Sequence, residues 1–305
     1  MFEPRQPARL RLVRIDRECL VIAAAGMGDM IDAAAQRTAR PRIEDVEDER
    51  RLHRDHRMKG HGRLPCLEAH ATHGDLPGLA EKQIEIVDCA AERTKAGRLI
   101  VCPSYYTDDP VLDRVFGQRP EGYLEALGKG LDPAIEIFWT GPRVCSTEMP
   151  ADHLARVTET LKRRPFIWDN YPVNDGQRMS PFLHLRAFTG RPAEAGQHMS
   201  AHGVNPASQP MLSRIPMLSL ETVYGVGTYD SNAAFLAAAE TICGAELAQM
   251  LAEDLPLMQD KGLNGMDEKE TAALRNRYLQ RQHPLPNHGR RLTGWPPWRP
   301  TPCRT

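Results

Sequence analysis

Residues 165–175, Pro-Phe-Ile-Trp-Asp-Asn-Tyr-Pro-Val-Asn-Asp, pass within a few positions from an apolar run to two carboxylates, two amides and an indole. Such a set suits a sugar. Carboxylates and amides take up hydroxyls, and an indole lies against the apolar face of a sugar ring. The segment follows a basic helix end (Lys162, Arg163, Arg164) and opens as a buried strand, Phe166 to Trp168. An α/β barrel builds its site in this way, with polar residues where a strand ends at the C-terminal face. An Asx-rich turn after a strand has the same composition, and both readings stay open at this point.

The elements that would position these residues follow the same grammar. Leu99 to Tyr106 is an apolar run ending in polar aromatics, and Ile135 to Pro142 ends in Trp-Thr-Gly-Pro. A weaker run spans His198 to Pro206. Between them, Leu79, Ile84, Val87 and Ala91 make one helical stripe closed by Gly97, and Leu154, Val157 and Leu161 make another. Strand and helix alternating at this spacing predict βα units around a parallel sheet, an α/β fold of TIM-barrel type. Four strand ends would then bring Tyr106, Thr140, the Trp168–Asp175 loop and Asn205 to one rim.

The pieces CPSYY (102–106), IEIFWTGP (135–142), RPFIWDNYPVND (164–175) and GVNP (203–206) resemble glycoside hydrolase family 84. That family holds β-N-acetylglucosaminidases, including protein O-GlcNAcases and enzymes historically called hyaluronidases. The resemblance runs from about Gly74 to about Arg214, with a looser helical continuation to about Leu279. It implies that Tyr106 lies near the scissile bond and the acetamido group, and that Thr140 stands on the sugar-pocket wall. Trp168 would pack against the acetamido pocket, with Asn170 beside the reacting acetamido group. Asp175 would take the 4- and 6-hydroxyls, and Asn205 would also hold the sugar. For Trp168 alone, barrel core is the plainer reading, and for Tyr106 a rim aromatic.

The family reaction is a retaining hydrolysis of terminal β-linked N-acetylglucosamine in which the substrate's acetamido oxygen is the nucleophile. It requires two adjacent aspartates. One polarises the acetamido group; the other protonates the leaving oxygen and later activates water. They precede a segment like Gly74-Asp75-Leu76-Pro77-Gly78-Leu79-Ala80, and in that register the pair falls on His70 and Ala71. Alanine transfers no proton, and histidine titrates in a different range from a carboxylate. Asp75 is expected to cap the following helix rather than to catalyse. No residue is therefore assigned to catalysis with certainty. The expectation is an active enzyme in which His70 or Asp75 stands in for the pair, a binding protein that kept the rim, or a truncated product without function.

The front of the chain departs from a whole barrel. A βα unit with its flanking strand takes about 30 residues, and eight make about 250. The recognisable part covers strands five to eight, so the barrel is expected to be incomplete, with residues 74–216 as its C-terminal half. Residues 1–73 read as an atypical charged region, partly disordered, with a dense charge run from Arg40 to Arg63. Residues 217–283 read as a helical domain, and 284–305 as a Pro- and Arg-rich tail. Open barrel edges would favour a homodimer.

The remaining signals exclude more than they assign. The net charge of -1 argues against a general nucleic-acid binder. Leu20 to Met27 is too short to span a membrane. The start shows no secretory signal, and Gly26-Met27-Gly28 lacks a third glycine for a phosphate loop. Seven scattered cysteines fit a reducing compartment, so a cytoplasmic location is expected, with Cys102 and Cys145 read as buried small residues. His53, His56 and His61, and the set Cys66, His70 and His73, lack a second ligand pair for zinc. No cofactor and no metal are implied. The implied partner is an N-acetylglucosamine-containing glycoconjugate or glycoprotein, with neither nucleic acid nor membrane.

Overall fold

The computed structural model describes residues 19–23 and 74–280, except 95, 177 and 226. It holds β1 (Cys19–Ala23), α1 (Leu79–Arg93), β2 (Arg98–Cys102), α2 (Val111–Phe116) and α3 (Tyr123–Gly130). Next come β3 (Glu136–Trp139), α4 (Ala151–Leu161), β4 (Phe166–Asp169), a 3-10 turn (Ala193–His198) and β5 (Ala201–Val204). The chain continues with α5 (Pro210–Val223), α6 (Ser231–Cys243), α7 (Ala245–Leu255), a π-helical turn (Pro256–Lys261) and α8 (Glu268–Leu279).

The five strands form one parallel sheet in chain order, β1-β2-β3-β4-β5. Four of them, β2 to β5, answer to the four runs read from the sequence, and β1 adds a fifth that pairs Cys19 with Arg98. Helices separate β2, β3 and β4, a largely irregular segment with the 3-10 turn joins β4 to β5, and sequential neighbours pair, as in part of a barrel.

The middle of the sheet is dry on both faces. Ile137, Phe138, Trp139, Phe166 and Ile167 are all fully buried, as parallel strands covered by helices require. Phe138 sits edge-on to Phe166 at 5.0 Å and to Trp168 at 5.2 Å. The stripe Leu154, Val157 and Leu161 buries one face of α4 in the same core. Lys162 then turns the chain through the left-handed region (φ 56) into β4. Arg163 donates to the carbonyls of Gly128, Leu131, Asp132 and Ile135. One carbonyl that α3 leaves open in its last turn, that of Gly128, is satisfied in this way, together with three in the segment that follows the helix.

Helices α3 and α4 meet at Gly128, where an added Cβ would lie 2.6 Å from the Leu161 carbonyl carbon. Backbone cannot yield as a side-chain tip does. Gly128→Ala is therefore expected to cost about 1–3 kcal/mol by overpacking, read as a lower urea midpoint at unchanged slope. An unchanged midpoint would mean that the two helices separate freely.

Beyond the sheet, the region 217–283 holds the end of α5 and three further α-helices, broken at Gly244 and by the π-helical turn, with 281–283 outside the described residues. Asp230 caps α6, and Asp267 with Glu270 forms a capping box on α8. On α6 the sequence spacing of Ala233, Leu236, Ala237 and Glu240 predicts one stripe, and the buried face is a different one. Ala234, Phe235, Ala238 and Ala239 are buried instead, and Leu236 is exposed. The largest side chain, Phe235, sets the rotation about the helix axis, since it removes the most apolar area from water. These residues pack with Leu185, Ala187, Ile215 and Leu251 in a second core. The boundary placed at 216/217 falls inside α5.

No described helix is long and apolar enough to cross a membrane. The Arg40–Arg63 charge run, Gly26-Met27-Gly28, both histidine sets, positions 70 and 71, and the 284–305 tail lie outside the described residues.

Candidate active site

The ends of β2 to β5 are tied to one another by hydrogen bonds. The Tyr106 carbonyl accepts from the Thr140 backbone N–H at 3.0 Å, which joins the segments after β2 and β3. The Asp169 carbonyl accepts from the Asn205 backbone N–H at 2.9 Å, which joins those of β4 and β5. Asn170 spans the gap between the two pairs. Its Oδ1 accepts from the Trp168 indole at 3.0 Å and from Asn205 Nδ2 at 3.0 Å. Its Nδ2 donates to the Val144 carbonyl at 2.8 Å. Trp168, Asn170 and Asn205 thus share one buried cluster. Thr140, also buried, donates from Oγ1 to the Arg143 carbonyl in the same loop. Tyr106 is buried, and that burial pushes its phenol well above the ordinary value. The phenol is therefore a neutral donor at any physiological pH.

The 140–147 loop has its shape for local reasons. Gly141 takes φ 96, and a Cβ there would meet Ser146 Oγ at 2.5 Å; only glycine fits both demands. Ser146 Oγ donates to the Thr140 carbonyl at 2.8 Å, and Asp109 accepts from the Val144 N–H at 3.3 Å.

Asp175 stands apart from the buried cluster. It is exposed, in the turn that follows the cis Tyr171–Pro172 bond. Asn174 beside it is buried: its Nδ2 donates to the Phe182 carbonyl and to Gln209, and its Oδ1 accepts from the Ser208 N–H. The loop is anchored through Asn174, with Asp175 exposed next to that anchor.

Two readings of single residues are corrected. Cys145 is exposed on the loop rather than buried, because the loop turns outward between its two anchored neighbours, Val144 and Ser146. Partial burial raises its thiol pKa against the pull of the Arg178 charge, with Asp169, Asp109 and Asp175 adding to the rise. Cys102 is buried, as read. Asp75 is exposed and does not cap α1, whose N-cap is Gly78 with no side-chain bond.

One constellation could not be read from the sequence. Asp169 is fully buried at the end of β4, and Arg191 grips it with two bonds of 2.9 and 2.8 Å. His202 Nε2 lies 3.0 Å from Asp169 Oδ2, and its Nδ1 lies 2.8 Å from the Tyr224 hydroxyl. Burial alone would raise the Asp169 pKa. The His202 hydrogen bond and the Arg191 charge outweigh it and hold the carboxyl below its ordinary value. Asp169 is thus a spent charge, ionised and fully paired, and unavailable as an acid. No group of three or more metal-ligating side chains occurs among the described residues.

Comparison with known proteins bears on what this rim is. The chain is 33% identical over 125 residues to the proteins named Protein O-GlcNAcase in Mus musculus and in Rattus norvegicus. That match takes in 41% of this chain and 13% of either relative, so the chain spans a small part of their length. A solved structure of an Asp→Asn mutant of the Thermobaculum terrenum O-GlcNAc hydrolase superposes with a TM-score of 0.51 at 28% identity. It covers 66% of this chain and 42% of the other. The model of the beta-N-acetylglucosaminidase family matches residues 62–254, which includes every strand end from β2 to β5 and the loops that carry the rim. That match covers more than half of the chain and lies on the parallel βα sheet described above: the chain belongs to the β-N-acetylglucosaminidase family, glycoside hydrolase family 84.

Proposed function

We propose that this chain binds terminal β-linked N-acetylglucosamine on glycoconjugates, at the rim formed by Tyr106, Thr140, Trp168, Asn170, Asp175 and Asn205. It hydrolyses that sugar poorly. The observation that carries the reading is Asn170, whose amide is oriented by an indole, a second amide and a loop carbonyl at once. Orientation of this kind is what recognition of an acetamido group needs, since an amide must be met by donor and acceptor in a fixed sense. Residues 74–216 then serve as the C-terminal half of a glycosidase barrel, with a helical domain after it.

Catalysis is the weaker half. The retaining reaction needs one group to polarise the acetamide and another to move the leaving-group proton. The positions in register with that pair are His70 and Ala71. Asp169 cannot replace them, being ionised and paired. Asp75 is exposed, and among the described residues no bond fixes its direction toward the rim. The binding reading is therefore preferred to the fully active one.

A stable N-acetylglucosamine-derived thiazoline is expected to bind the purified chain. Asp175→Ala should weaken that binding about 10- to 100-fold, the range for losing a charged hydrogen bond of about 1.5–3 kcal/mol. Because Asp175 is exposed and packs no core, the variant should melt like the parent. Equal affinity in parent and variant would remove Asp175 from the site.

A further inference from the structure

Arg191 sits outside the set that would touch the sugar, yet it is the most heavily bonded side chain near it. A guanidinium has five N–H donors, and all five are used. Nε and one Nη2 hydrogen take the two Asp169 oxygens. The other Nη2 hydrogen takes the Ser146 carbonyl at 2.8 Å. The two on Nη1 take the Thr147 and Thr189 carbonyls, both at 2.7 Å. The side chain is 4% exposed and lies over the Phe188 ring at 5.5 Å.

These bonds reach three separate segments. Asp169 is the residue between Trp168 and Asn170, at the end of β4. Ser146 and Thr147 belong to the loop whose Val144 carbonyl takes the Asn170 amide. Thr189 belongs to the return toward β5. On the far side His202 carries the other contact of Asp169 and passes it to Tyr224. A fully paired buried ion group of this kind has one geometry, since any displacement leaves a charge or a carbonyl unmet in a dry interior.

We propose that Arg191 is a positioning residue for the sugar rim: by clamping the end of β4 and the 146–147 loop into a single body, it sets the distance from the Val144 carbonyl to Asn170 and hence the direction of the Asn170 amide. This inference rests on the binding reading above for the ligand, but not for the geometry. Asn170 has one carbonyl partner from the loop and two side-chain partners from the strands. If the loop moves relative to β4, the amide must follow one or the other. A positional error of about 1 Å in such a group costs on the order of 100-fold.

The test compares the full chain with Arg191→Lys, which keeps the charge but cannot make the five bonds, and with Tyr224→Phe, which removes only the outermost hydroxyl. The probes are the N-acetylglucosamine-derived thiazoline, by calorimetry, and the Trp168 indole N–H resonance of the ligand-free protein. Arg191→Lys should shift that resonance and weaken the thiazoline about 10- to 100-fold, and Tyr224→Phe should shift it less, in the same direction. Were Arg191→Lys to unfold, Tyr224→Phe alone decides: an unmoved resonance overturns the proposal. Unchanged resonance and affinity in a folded Arg191→Lys overturn it too. If the parent fails to bind the thiazoline, the sugar reading falls, and the ligand-free resonance still judges the positioning role.

Discussion

Substituting His70→Asp and Ala71→Asp together is expected to raise turnover of an aryl β-N-acetylglucosaminide by on the order of 100- to 10,000-fold for each acid–base group regained. The nucleophile belongs to the substrate, so the protein need supply only an orienting carboxylate and a proton carrier. The residues proposed to hold the sugar, Tyr106, Thr140, Trp168, Asn170, Asp175 and Asn205, are all present in the chain. Either single substitution should give little, because two groups acting as a unit are strongly non-additive. The rate should also acquire two ionisations, one for each carboxyl. A double variant that binds the thiazoline yet turns over no faster than the parent would show that the register drawn from Gly74 to Ala80 is wrong.

Trp139→Ala is expected to cost about 3–5 kcal/mol, the range for deleting a fully buried large aromatic. Trp139 has no exposed surface and ends β3, immediately before Thr140. Its indole N–H donates to His153 Nε2 at 3.0 Å. Trp139→Phe keeps a ring but strands that nitrogen, so a loss of about 1–3 kcal/mol is expected. Urea denaturation checks both, and equal stability for Trp139→Phe and the parent would remove the hydrogen bond from the account. The same bond gives the fold an acid limit. Burial lowers the His153 pKa, and Arg156 lowers it further, against Asp108 and Asp152. The unfolded chain therefore takes up the proton first. The contribution of neutral His153 is present above its ordinary value of about 6.5. It is lost as pH falls from there through the lower folded value. In Trp139→Phe the melting temperature should fall less steeply on acidification than in the parent.

How much of this was legible in the sequence follows from how local each signal is. Strands β2, β3 and β4 are short apolar runs between helical stripes, and they appear where read. β5 is weaker because His202 and Gly203 interrupt its apolar run. β1 carries an equally apolar pentapeptide, but charged neighbours hid it, and its pairing with β2 is a long-range fact. The contact from Asp169 to Arg191 spans 22 residues of irregular chain, and that to His202 spans 33. No periodicity reports a bond of that kind. Asp169 was visible only as one polar residue among several. The structure separates it from Asp175, the first buried and paired, the second exposed. Cys145 was misread for a related reason: it follows a strand by a few residues, but the left-handed Gly141 redirects the loop outward.

The sheet has a property that none of its residues has singly. Its spatial order is its chain order, β1-β2-β3-β4-β5, and every pairing joins nearest neighbours. Damage in such a ladder stays where it occurs. Within the sheet, a sequence change ahead of β2 is carried by the pairing of β1 with β2, while the registers of β3 with β4 and of β4 with β5 are fixed by residues well downstream. An architecture of this kind contains its errors. A lineage can lose the chemistry written near one end of the chain and still inherit, intact and recognisable, the surface written near the other.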